Sequence, residues 1–216
     1  MARSTRDTTR SEGLAAGLIA AVLGAALVVY AALYGQAAWT FAQAEPRYQE
    51  VVRGKLGTVV EMDALTQALR ASPVQGDLSR AALVQMMSAQ ELGLSSMRAV
   101  MRLTLARRDL RRGLSASPAD AFGWMRLAVA ETRLNAMDSA AKALALALQV
   151  APKEPKLAAM QFDLAIVLWP HLDPRAKSTL ERRLAWAKTR PDLKQVVEGN
   201  SAVAIRERLA AERSGP

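Results

Sequence analysis

Residues Pro118–Pro152, PADAFGWMRLAVAETRLNAMDSAAKALALALQVAP, decide the fold of the soluble part of this chain. Large side chains come early in the stretch, at Trp124 and Leu127, and small ones later, at Ala140 and Ala147. In a pair of packed helices Ala140 and Ala147 permit close approach, while Trp124, Leu127 and Leu144 fill the space between. The start carries helix-initiating chemistry. In Ser117-Pro118-Ala119-Asp120 the serine suits an N-cap, Pro118 the first helical position and Asp120 the first turn.

Trp124, Leu127, Ala128, Ala140, Leu144, Ala147 and Pro152 stand at the steps of a tetratricopeptide repeat, and Pro118 to Pro152 spans that family's 34 residues. The stretch therefore resembles one such repeat. It departs from the pattern at Ala128, where the family usually has glycine, and at Glu131, where it usually has an aromatic. The resemblance implies that the first helix of the pair faces an inner, peptide-binding surface. Carried onto this chain, that surface consists of Phe122, Met125, Val129, Thr132 and Arg133.

Outward from this unit the pattern loosens. Pro73 to Pro118 is 45 residues and Pro152 to Pro191 is 39. Leu65, Ala68 and Pro73 look like the tail of an earlier unit, and Gln161 through Pro191 like a stretched later one. Asp173-Pro174 and Pro191-Asp192 mark further helix starts. No segment alternates with period two, so the expected class is all-α. The expected organisation is a degenerate helical-hairpin domain over 58–197, followed by a C-terminal helix or tail over 198–216.

At the other end, Leu14–Tyr34 is an unbroken run of 21 residues free of charge, enough at ~1.5 Å per residue to cross a bilayer core. Arg3, Arg6 and Arg10 precede it, and Tyr30, Tyr34, Trp39 and Phe41 cluster at its far end like an interfacial belt. The expected layout is a cytoplasmic tail over 1–12, a transmembrane signal anchor over 13–36 and a stalk over 37–57. The arginine excess keeps the N-terminus in the cytoplasm and exports the rest from the inner membrane. Ala42-Gln43-Ala44 has the shape of a cleavage site, but the run is longer than a signal peptide needs. Gly13, Gly17 and Gly24 place small residues along one side, a pattern that supports helix self-association.

The chain has no cysteine and one histidine, His171, which leaves no disulfides, thiolate chemistry or multi-histidine metal site. No cofactor is expected, and the sequence carries no phosphate loop or nucleophile elbow. The net charge of +9 favours anionic lipid headgroups or acidic proteins as partners, whereas nucleic acid has no visible binding fold. Its densest source is Arg107, Arg108, Arg111 and Arg112, which share a broad helical arc partly offset by Asp109. The composition suggests a bacterial source. Small anchored proteins of this look resemble accessory parts of envelope machines, surface polysaccharide assembly and export among them. A non-enzymatic scaffold is the expectation; an integral subunit of a larger membrane complex is the alternative.

Overall fold

A computed structural model describes residues 5–55, 57–72 and 76–214. Arg3 and Pro73 lie outside these residues, as do the side chains of Arg6, Arg10 and Phe41 and the surroundings of Gly13 and Gly17. The described chain is all-helical. Its α-helices are α1 (Thr5–Val52), α2 (Val59–Ala71), α3 (Gly76–Glu91), α4 (Met97–Ala116) and α5 (Ala121–Arg133). They continue with α6 (Met137–Val150), α7 (Pro155–Leu168), α8 (Pro174–Lys188), α9 (Lys194–Glu198) and α10 (Asn200–Ser214), with short 3-10 turns at Trp169–His171 and Pro191–Leu193.

Local chemistry sets the boundaries. Thr58 and Glu61 form a reciprocal capping box at α2: the Glu61 amide donates to Thr58 Oγ1 at 3.3 Å, and the Thr58 amide to Glu61 Oε2 at 2.8 Å. Asp173 accepts from the Ala176 amide at 2.6 Å ahead of Pro174, as that dipeptide predicts. At α5 the cap is not Ser117 but Asp120, which accepts from the Gly123 amide at 2.9 Å. Pro118 therefore lies in the preceding turn. Its carbonyl takes the Trp124 indole N–H at 2.8 Å, so this half-buried tryptophan closes the turn as well as packing. Gly54 ends α1 with φ +81°, a conformation that costs glycine little.

Cross-helix hydrogen bonds fix the directions. Arg102 reaches Asp63, and Arg70 reaches Asp109, a constant offset of 39 residues, so α2 and α4 run parallel. Arg126 reaches Ser79 Oγ, and Arg133 the Met86 carbonyl, a constant offset of 47, so α3 and α5 run parallel too. The short connections between successive helices then make α2 to α5 an up-and-down array. α5 and α6 form the hairpin that the central stretch predicts, with Ala140, Leu144 and Ala147 wholly buried. Replacing Ala140 or Ala147 with leucine should overpack this contact and cost about 1–3 kcal/mol, read as a lower urea midpoint for each variant. An unchanged midpoint for both would mean that the hairpin is not close-packed.

Two apolar clusters share the work. The larger runs from α3 to α10; the smaller joins Ala44, Tyr48 and Val51 of α1 to Met62, Leu65 and Leu69 of α2 and Ala81 and Val84 of α3. The segment 37–57 expected as a stalk is thus mostly the end of α1, and its last turns are locked into the domain. Arg80 braces this joint, pairing with Glu45 at 2.7 Å and lying 5.2 Å from the Tyr48 ring centre. Segment 198–216 is helical over Asn200–Ser214, and it adds Ala202 and Ile205 to the larger core. Arg208 ties it to the Ile166 carbonyl at 2.7 Å, and Trp169 and Lys177 both donate to Glu212.

Candidate partner-binding surfaces

The five residues expected on an inner groove do not share an open face. Met125 is 1% exposed and belongs to the core. The physical reason is α3, which lies along α5 with Arg126 and Arg133 hydrogen-bonded across to it. Arg133 is half-buried, and that burial lowers its pKa. Val129 is half-buried, and the Thr132 hydroxyl turns back onto the Ala128 carbonyl at 2.8 Å. Only Phe122, at the start of the helix, stands exposed. About half a turn of phase separates opposite faces of a helix, and the packed neighbour decides which of them is interior.

The arginine cluster divides in two. Arg111 Nη2 meets Glu131 Oε1 at 2.6 Å and Arg107 lies 3.6 Å from Oε2, with Glu131 itself 1% exposed. These two arginines neutralise a buried carboxylate that the sequence pattern left without a partner. Arg108 and Arg112 are exposed and hold no ion pair among the described residues. Asp109 turns away from its basic neighbours to accept from Arg70 at 2.7 Å and Gln85 at 2.8 Å. Arg102 forks onto Asp63 at 2.5 and 2.9 Å and holds that carboxyl below its usual pKa. Arg111→Gln should cost about 1–3 kcal/mol, because buried Glu131 loses its closest donor. The Arg108→Gln/Arg112→Gln double variant should stay within about 0.5 kcal/mol of the parent in the same thermal melt. Equal effects would dissolve the division.

Among the described residues, α1 carries a long run of exposed apolar side chains. Its Ile19–Gln36 window is apolar enough to cross a membrane and is not buried by the rest of the chain. Ile19, Leu23, Leu27, Val28 and Leu33 all stand exposed, and a side chain added at Gly24 would meet open space. A patch of that size marks a membrane or protein contact.

A feature with no local sequence signal lies between the end of α6 and α8. Arg183 is 2% exposed, yet its guanidinium faces backbone rather than a carboxylate, donating to the carbonyls of Ala151, Pro152 and Glu154. It fixes the α6–α7 turn beside a cavity of about 580 Å³. His171 sits elsewhere, with Nδ1 2.7 Å from Asp138.

These features define a class: an all-helical protein whose N-terminal helix can span a membrane. Comparison with protein-family models, with curated proteins and with solved structures finds no match.

Proposed function

We propose that this chain is a membrane-anchored helical scaffold of the bacterial envelope. α1 crosses the inner membrane over 13–36 with its N-terminus in the cytoplasm, and α2 to α10 form an exported protein-binding domain of degenerate tetratricopeptide-like hairpins. The domain recruits envelope proteins, with surface polysaccharide assembly or export as the candidate setting. The observation that carries this reading is α1, whose apolar part is exposed while its last turns are built into the domain core. Such a helix suits an anchor that holds its domain at a set distance from a bilayer.

The arginine excess ahead of the apolar run supplies the direction. A reporter enzyme that works only outside the cytoplasm, fused after Pro216, should be active. A fusion that works only inside the cytoplasm should be silent at the same position. The reverse pair of results would remove the exported domain from the proposal.

A further inference from the structure

We infer that the cavity between the end of α6 and α8 binds an acidic peptide segment of a protein partner. The inference deepens the scaffold reading and rests on it only for the partner being a protein. The lining includes four cations, Lys153, Arg175, Arg182 and Arg183, and no carboxylate. The side chains of Lys153 and Arg175 make no ion pair or hydrogen bond within the described residues, and that of Arg182 bonds only to the hydroxyls of Ser178 and Thr179.

Arg183 is the telling member. It is almost wholly buried, its Nε has no hydrogen-bond partner, and burial pushes its pKa down to about 10. A buried guanidinium is normally matched by an anion. Three carboxylates of α8 and of the caps of α7 and α8 are engaged elsewhere. Glu154 accepts from the Lys156 amide, Asp173 from the Ala176 amide, and Glu181 pairs with Arg213. Glu154 still acts on Arg183 through its charge, but it does not line the cavity. Four like charges around one hollow leave an unmet need for negative charge.

The spread of those charges selects the ligand. Arg175 and Arg182 are seven residues apart on α8, about 10 Å at 1.5 Å per residue. A peptide bearing several carboxylates can give each cation its own anion, which one phosphate group cannot. Carboxylates on alternate residues of an extended peptide repeat at roughly 7 Å on one face, a spacing that long, flexible arginine side chains rooted about 10 Å apart can meet. Half-buried Trp186 offers apolar surface, with the Arg183 guanidinium 5.3 Å from its ring centre. An acidic peptide carrying one large apolar side chain fits both parts.

The test uses the full chain in lipid nanodiscs and a fluorescein-labelled peptide of six glutamates flanking one tryptophan, read by anisotropy. The parent should bind saturably. Lys153→Glu/Arg175→Glu should weaken binding roughly tenfold or more. Arg108→Glu/Arg112→Glu alters net charge by the same amount and should change binding by less than about threefold. Should the first variant lose its helical melt, Lys153→Ala/Arg175→Ala takes its place with the same order of effects. Absent saturation, or equal loss in the two variants, overturns the site. Displacement by inorganic pyrophosphate or by phosphatidylglycerol vesicles at lower concentration than by unlabelled peptide also overturns it, assigning a small anion or a lipid headgroup. The C-terminal reporter of the parent chain reads topology independently, so a failed peptide site leaves the anchor standing.

Discussion

Phe162→Ala should lower stability by about 3–5 kcal/mol. Phe162 is 1% exposed on α7, which packs against α5, α6, α8 and α10. The cost of such a truncation depends on how far the surroundings collapse into the space left behind. The core here includes many alanines, Ala158, Ala165, Ala187 and Ala202 among them. An alanine has no side-chain rotamer through which to move, so the hole stays open unless whole helices shift. Phe162→Leu keeps most of the volume and should cost under about 1.5 kcal/mol. Chemical unfolding of both variants, followed by helical circular dichroism, measures the difference. If alanine and leucine cost the same, the core around α7 is loose rather than close-packed.

Asp109→Ala should cost about 2–4 kcal/mol although the residue sits among arginines that look like ordinary surface charge. Its Oδ2 accepts from Arg70 of α2 and from Gln85 of α3, so one carboxylate oxygen joins three helices. Gln85 is buried, and its own Oε1 already lacks a hydrogen bond. Without Asp109 its amide N–H is stranded too, and half-exposed Arg70 loses its counter-charge. Removing both ends of a buried polar pair costs less than removing one. The Gln85→Leu/Asp109→Leu double variant should therefore be more stable than Asp109→Ala. A double variant that is the less stable of the two would show that Gln85 is not the group harmed.

What the sequence made legible follows the range of each interaction. Asp173-Pro174 announces its helix because cap and first turn are neighbours in the chain, and the turns at Gly54 and around Pro152 and Pro191 are local in the same sense. Ser117 and Asp120 compete within three residues, and only the reach of the Asp120 carboxylate to the Gly123 amide decides between them. The apolar period of α5 places Met125 on a face, but α3, more than thirty residues earlier, determines that the face is interior. The partners of Glu131, Asp109 and Arg183 lie about 20 to 39 residues away, beyond any helical period. Local pattern alone therefore reads the arginines around 107–112 as one patch. Tertiary pairing separates two that neutralise a core carboxylate from two that have no ion pair among the described residues.

α1 has no hinge between Gln36, where its apolar window closes, and Ala44, where burial in the domain begins. Eight residues of continuous helix carry about 12 Å of height and a little over two turns. Each added residue would swing the domain by about 100° around the axis of the span while lifting it only about 1.5 Å. In an anchored protein the compass bearing of the cationic cavity along the membrane is therefore set by which side of the span its neighbours in the bilayer grip. The shaft turns the vane.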